Sequence, residues 1–338
     1  MNRLLPDRLV ARSRPAVVGP AVLALALLAL PASAPRQAEG PPRFLVDDLT
    51  MSDSLVAFVR SGELWTVSRE GGEARRVDLP GAVTAAAFAP DGEALAYSAE
   101  FGPRDDDVYL LRSLDGEPEP RRLTHHPRGD LVRGWTPDGA RVLFASFRER
   151  TFAYYQLWSV EPGSPRPEKL PLRAAARGSY SPDGSRIVYQ RFWMFPDWRH
   201  YRGGRTDDLR ILDLDANRVV GRIPRGDSHD RYPMWLEGGV YFVSDRWGGD
   251  HQLYRWRPGE EAATRLTRFE SFGIRRAAPG PDGVVFTAGG RIHVHDAATG
   301  RTRQLDVRLP ATVRLPDTAR AVDQPSRWLQ SAAPGIGG

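Results

Sequence analysis

A turn that keeps returning is the feature that most constrains this chain. Tyr180 to Tyr189 reads YSPDGSRIVY: an aromatic closes one apolar segment, Pro-Asp-Gly supplies a tight turn, and an alternating apolar run follows. Gly accepts positive φ and Asp bonds its own backbone, so the unit favours a hairpin. The same unit stands at Phe88-Ala89-Pro90-Asp91-Gly92, Trp135-Thr136-Pro137-Asp138-Gly139, Trp235-Leu236-Glu237-Gly238-Gly239 and Pro279-Gly280-Pro281-Asp282-Gly283, each leading into an apolar run. A worn copy, Leu49-Thr50-Met51-Ser52-Asp53-Ser54, comes first.

A second strand signal follows each copy. Its leading apolar residue falls at 64, 108, 157, 209, 253 and 292, in steps of 44, 49, 52, 44 and 39. After most of these comes a short basic-apolar strand, as in Arg121-Arg122-Leu123-Thr124 and Arg265-Leu266-Thr267. Four strands in a period of about 40 to 50 residues signify a β-propeller. The predicted fold is therefore all-β: one six-bladed β-propeller of four-stranded blades over residues 44–307, with almost no helix. Every blade is complete in sequence order. The ring is accordingly expected to close by blade-to-blade packing, without a swapped velcro strand. Alternate aromatics and aliphatics should fill the blade cores, with Phe58, Phe88, Tyr97, Trp135, Phe144, Tyr180, Tyr189, Trp235, Phe242 and Phe286 at their centre.

The flanks read differently. Residues 1–34 carry Arg3, Arg8, Arg12 and Arg14, then an apolar run over 16–30 and Ala32-Ser33-Ala34. This is the pattern of an export signal, or of an N-terminal anchor if Pro35 prevents cleavage. Residues 35–43 are a Pro-rich linker, and 308–338 a poorly ordered tail without a further blade. The expected location is periplasmic or extracellular, with membrane contact only through an uncleaved N-terminal segment. Cysteine is absent, so no disulfide is needed. The net charge is +5, and Lys169 is the only lysine among 47 basic residues. The arginines are scattered among nearly as many acids. That is a solvated arginine-biased surface, and no nucleic-acid partner is expected.

Blade four carries the one large insertion, FWMFPDWRHYRGGRTDD over 192–208. Aromatics and arginine dominate binding hot spots, so Trp198, Tyr201, Arg202 and Arg205 are candidate contacts. His125, His126, Asp245 and Arg246 join them on loops expected nearby. The competing reading is that the aromatics cap the ring and the charges form bridges between blades. Catalytic signatures are missing: there is no G-x-S-x-G or H-E-x-x-H, and no Gly-rich phosphate loop. His125-His126 is an adjacent pair whose side chains diverge, and Asp105-Asp106-Asp107 lacks the spacing of a calcium loop. His293 and His295 share a strand face, but read better as a surface or interface pair than as a ligand set. No metal, cofactor or catalytic residue is predicted.

Five segments stand in one order: Thr124-His125-His126-Pro127, Trp135-Thr136-Pro137-Asp138-Gly139, Tyr201-Arg202-Gly203-Gly204, Pro233-Met234-Trp235 and Tyr241-Phe242-Val243-Ser244-Asp245-Arg246. Together they resemble the first propeller of tricorn-type proteases, over about residues 42–307. The resemblance implies a propeller that precedes a second ring, a PDZ domain and a serine-peptidase core, in a family that cuts oligopeptides. It further implies a non-catalytic ring, inactive alone, that gates or binds peptide substrates or mediates assembly, with peptides, a protein partner or a separate peptidase chain as ligand. No position here matches the family's nucleophile. The alternative is a stand-alone TolB-like binding propeller of the cell envelope. A third, weaker reading puts enzyme chemistry in the central channel.

Overall fold

The structure, a computed structural model, describes residues 45–102, 105–114, 116–149, 154–164, 166–192, 201–204 and 206–310. The export segment, the linker, most of the tail, Phe44, Trp198 and Arg205 lie outside the described residues.

Six four-stranded antiparallel sheets follow one another along the chain. Blade 1 uses Asp48–Met51, Leu55–Arg60, Glu63–Ser68 and Arg75–Val77. Blade 2 uses Ala82–Phe88, Leu95–Glu100, Asp107–Leu111 and Arg121–Arg122. Blade 3 uses Asp130–Trp135, Val142–Ser146, Gln156–Val160 and Glu168–Lys169. Blade 4 uses Arg177–Tyr180, Arg186–Gln190, Leu209–Asp213 and Arg218–Arg222. Blade 5 uses Asp230–Leu236, Gly239–Ser244, Gln252–Trp256 and Thr264–Arg265. Blade 6 uses Ile274–Pro279, Gly283–Ala288, Arg291–Asp296 and Thr302–Gln304. No helix occurs among the described residues. The turn signal does what its chemistry requires: in the hairpins of blades 2, 3 and 4, Gly92, Gly139 and Gly184 take φ of 74°, 69° and 73°. Beside them Asp91, Asp138 and Asp183 accept the backbone N–H two residues on.

The sheets stack face to face, and one apolar cluster fills each junction. Phe58, Val56 and Trp65 of blade 1 pack on Val285, Ile292 and Val294 of blade 6. Val59 and Leu64 pack on Tyr97 and Leu95 of blade 2, and Ala96 and Leu110 on Phe144 of blade 3. Leu143 and Leu157 meet Tyr189 of blade 4, Val188 and Leu209 meet Phe242 of blade 5, and Tyr241 and Leu253 meet Phe286 of blade 6. The aromatic of each second strand (Phe58, Tyr97, Phe144, Tyr189, Phe242, Phe286) is therefore buried between neighbours. Each such burial stabilises by about 1.5–3 kcal/mol relative to exposure. Trp135, Tyr180 and Trp235, expected in the core, are only half-buried. They end the innermost strands, where one side opens on the ring's axis.

All blades take their four strands in sequence order, as expected, although in blade 1 Gly72–Glu73 lies between the third and fourth strands. To the packing that closes the ring, the structure adds a short hydrogen-bonded clasp. Val307–Arg308 leaves blade 6 and pairs in parallel with Gly72–Glu73 of blade 1. Gly72 N donates to Asp306 O at 2.8 Å and Ala74 N to Arg308 O at 2.7 Å. Arg303 adds donors to Arg69 O and to the Glu70 carboxylate.

Candidate functional site

Antiparallel strands in sequence divide the connections between two faces. The hairpins joining first to second strands lie on one face. The links from second to third strands, and from each blade to the next, lie on the other. Residues from all six turn hairpins converge on the first face and line a funnel of about 450 Å³. Its wall includes Met51, Phe88, Trp135, Tyr180, Trp235 and Pro281. The three half-buried aromatics are thus the funnel's lining, and burial pushes the Tyr180 hydroxyl up to about 12.

The funnel narrows to a throat of about 280 Å³, lined by Asp48, Thr84, Asp106, Arg133, Arg177, Gln190, Tyr232 and Arg276 among others. In four of the six blades the innermost strand breaks register as it passes the throat. The pairing slips between Val83 and Ala85, Val132 and Gly134, Arg231 and Met234, and Ile274 and Arg276. Bulges of this kind re-aim a side chain, and Thr84, Arg133, Tyr232 and Arg276 sit at or beside them. Tyr232 takes a φ of 54°, uncommon for a bulky residue. It is held there by its N–H to Gln190 Oε1 at 3.1 Å, and Gln190 Nε2 in turn donates to Asp207 Oδ2 at 2.8 Å.

The throat is electrically polarised. The Arg177 guanidinium lies 4.4 Å over the Tyr232 ring, and Arg276 Nη1 reaches the Tyr232 hydroxyl at 3.5 Å. Arg133 Nε donates to Ala176 O at 2.9 Å, and Arg276 Nε to Asp47 O at 2.6 Å. Burial and the neighbouring Arg177 bring the Arg133 guanidinium down to about 9. Burial raises the Tyr232 hydroxyl, but Arg177, Arg276 and Arg231 outweigh it and leave it below its ordinary value. Asp48 is raised by burial, against the pull of Arg177, Arg133 and Arg276. Its Oδ2 accepts the Ala86 N–H of the next blade at 3.2 Å.

Of the residues singled out in the sequence, the described ones lie on the opposite face and do not form one cluster. Tyr201 precedes Arg202, and Arg202 meets blade 5: its Nη1 donates to Asp245 Oδ2 at 2.8 Å and its Nε lies 3.3 Å from Asp227. Asp245 Oδ1 also accepts the His229 N–H at 2.8 Å. Burial raises the Asp245 carboxyl, but that N–H and Arg202 leave it below the ordinary range. This is a bridge between blades, as the competing reading held. Arg246 is an internal strut. Its Nη2 donates to buried Asp230 at 2.9 Å, its Nε to Ser244, and it lies over Phe242 and Tyr254. Arg148 repeats the arrangement in blade 3 with Asp130, Ser146, Phe144 and Trp158. His126 gives its N–H to Asp107, which also accepts from Thr124. Gln252, Phe269 and Thr267 repeat that pattern in blade 5. His125 is exposed beside it. No group of three or more metal-ligating side chains occurs among the described residues. His293 and His295 lie buried in blade 6, where His293 stacks on Phe286 at 5.3 Å.

The throat residues escaped the sequence reading. Their one signal is a polar side chain two to four residues before each turn aromatic or proline, hidden by an arginine-rich composition.

Comparison with known proteins places the geometry in a family. A model described as the tricorn protease N-terminal beta propeller domain matches residues 44–301. The chain is 24% identical over 261 residues to the tricorn protease homolog of Saccharolobus solfataricus, covering 76% of this chain and 24% of that protein. It is 28% identical over 296 residues to tricorn protease homolog 1 of Streptomyces coelicolor, covering 83% and 26%. The chain thus spans about a quarter of the length of these curated relatives. Among solved structures, the crystal structure of the tricorn protease has a TM-score of 0.66 at 22% identity, over 78% of this chain and 26% of that one. The β-propeller domain of the Trilobed protease from Pyrococcus furiosus, described as having an open velcro topology, has a TM-score of 0.51 at 15% identity, over 78% and 98%. At these identities the structural likeness concerns the fold.

Proposed function

The chain belongs to the family of tricorn protease N-terminal β-propellers, and from that membership we propose that it is a non-catalytic ring that admits or holds oligopeptides for a serine peptidase. The peptidase would be a further part of the same protein or a separate chain. The observation that carries this reading is the funnel. All six blades contribute apolar turn residues to one opening, which adjoins a smaller chamber lined by Arg133, Arg177 and Arg276 among others. Such a surface takes an extended chain by its side chains and backbone without selecting one sequence. Titration of the full chain with fluorescein-labelled oligopeptides, followed by anisotropy, tests it. Saturable binding that weakens in Trp235→Ala, with no turnover of fluorogenic peptides, is the expected result. Absence of binding, or cleavage by the pure chain, overturns it.

One observation favours a protein partner as well. Leu45, Phe101, Trp247 and Phe272 are exposed large apolar side chains, and all lie on the face that carries Tyr201 and Arg202. That face is the candidate docking surface for a peptidase chain, or for an envelope protein if the ring works alone. Export is proposed from the basic and apolar N-terminal pattern; recovery of the protein from the cytoplasmic fraction alone would contradict it.

A further inference from the structure

We infer that the funnel selects cationic oligopeptides, those carrying lysine or arginine, through carboxylates that surround its aromatic lining. The inference rests on the reading that peptides enter the funnel, and narrows it to one chemical class.

Each turn hairpin places one acidic residue at the funnel's mouth: Asp53, Asp91, Asp138, Asp183, Glu237 and Asp282 in blades 1 to 6. All six are exposed. Asp53 and Glu237 line the cavity itself, and the other four directly follow Pro90, Pro137, Pro182 and Pro281, which line it too. The whole chain carries a formal charge of +5, so the acidic mouth is a property of one face and not of the composition. The arginines nearest the mouth bring acids of their own. Arg69 bridges Asp282, Arg141 lies 3.2 Å from Glu168, Arg186 3.8 Å from Asp213 and Arg257 3.8 Å from Glu260. Among the described residues no ion pair reaches Asp53, Asp91, Asp138, Asp183 or Glu237; Arg141 and Arg186 act on Asp138 and Asp183 only from beyond that range. The Thr136 hydroxyl holds the Asp138 carboxyl below its ordinary value, and the Ser181 hydroxyl does the same for Asp183, so both stay ionised. At its inner end the funnel shares Arg133 and Arg177 with the smaller chamber. There Asp47, Asp48 and Asp106 stand beside these two and Arg276, a balanced formal count.

The lining supplies the second half of the recognition. Phe88, Trp135, Tyr180 and Trp235 line the funnel, and Trp135 is fixed by its Nε1, which donates to Ala87 O at 3.0 Å. Elsewhere the chain's own guanidiniums cover aromatic rings: Arg148 over Trp158 at 5.0 Å, Arg246 over Phe242 at 4.7 Å and Arg265 over Trp247 at 4.3 Å. Among the described residues none lies over the four funnel rings. Tryptophan and tyrosine faces attract a cation, and a rim of one sign raises the local concentration of the opposite one. A lysine or arginine side chain gains both effects. A neutral side chain gains neither, and a carboxylate is repelled by the rim.

Three oligopeptides of equal length with capped, uncharged ends test the inference. They differ only in carrying lysine, glutamine or glutamate at their central positions, and each is titrated calorimetrically into the full chain at neutral pH. The lysine peptide should bind about tenfold more tightly than the glutamine peptide, the glutamate peptide should bind more weakly still, and the spread should shrink between about 0.05 and about 0.5 M sodium chloride. The double variant Asp53→Asn, Glu237→Gln changes two side chains that make no hydrogen bond among the described residues. It should reduce the ratio of lysine-peptide to glutamine-peptide affinity about threefold or more. Glu270→Gln, exposed on the opposite face, should leave that ratio unchanged. Equal affinity for the three peptides overturns the inference and leaves peptide entry standing, as does a lysine preference that neither salt nor the double variant reduces. Binding of none of the three overturns both.

Discussion

Replacing Asp230 by alanine separates a structural role for Arg246 from a binding one. The Asp230 carboxylate is fully buried and accepts three hydrogen bonds: Ser228 Oγ at 3.1 Å, Ser244 Oγ at 2.6 Å and Arg246 Nη2 at 2.9 Å. Asp230→Ala leaves the Arg246 guanidinium, 14% exposed, without its counterion. Breaking a buried pair on one side costs about 3–5 kcal/mol. The lower end applies here, because Arg246 keeps the Ser244 hydroxyl, the Pro224 carbonyl at 3.2 Å and the Phe242 ring at 4.7 Å. About 3 kcal/mol corresponds to roughly 6–12 °C in melting temperature for a ring of this size. Thermal and denaturant unfolding of the purified chain, read by circular dichroism, measures it. Asp130→Ala should behave alike, since Arg148 makes the same contacts in blade 3. Adding Arg246→Met to Asp230→Ala should recover part of the loss, because the orphaned charge is then removed. A loss below about 1 kcal/mol for Asp230→Ala would refute the strut, because a buried pair of this geometry cannot be broken so cheaply.

Other perturbations have equally definite outcomes. Burial lowers the imidazoles of His293 and His295 below their ordinary 6.5, so the unfolded chain takes up protons first as the pH falls. Their stabilising contribution is therefore complete above 6.5 and is lost as pH drops toward the folded values; the double variant His293→Phe, His295→Thr should lose less stability over that window in pH-dependent melts. Gly283→Ala would put a Cβ on the His295 carbonyl oxygen in the paired strand, and should destabilise by about 3 kcal/mol in denaturant titration. Trp198→Ala with Tyr201→Ala should weaken partner binding while the melting temperature stays nearly unchanged; a large fall in melting temperature would assign these side chains to packing.

The blades were legible because hairpin chemistry is local. Pro-Asp-Gly beside an aromatic encodes its own turn, and six spaced copies leave few folds other than a ring. The core followed from alternation, and Phe58, Tyr97, Phe144 and Phe242 are buried as the pattern required. Trp135, Tyr180 and Trp235 departed from it because alternation cannot tell a blade interface from the ring's axis. The throat was not legible at all. Its arginines, Arg133, Arg177 and Arg276, come from three different blades, and register breaks stand beside Arg133 and Arg276. Nothing in a linear pattern separates Arg133 from the arginines of the solvated surface. Asp245 and Arg246 are adjacent in sequence, yet one bridges blades and the other braces a single sheet.

Photo-crosslinking tests the central claim most directly. An oligopeptide carrying benzoylphenylalanine is irradiated with the full chain, and the attachment sites are mapped by mass spectrometry. Attachment is expected in the turn hairpins of the funnel, at Phe88, Trp135, Tyr180, Trp235 and their neighbours, with the peptide otherwise uncut. Attachment confined to the outer strands, such as the exposed Arg218–Arg222 of blade 4, would contradict it and remove the channel from the function of this ring.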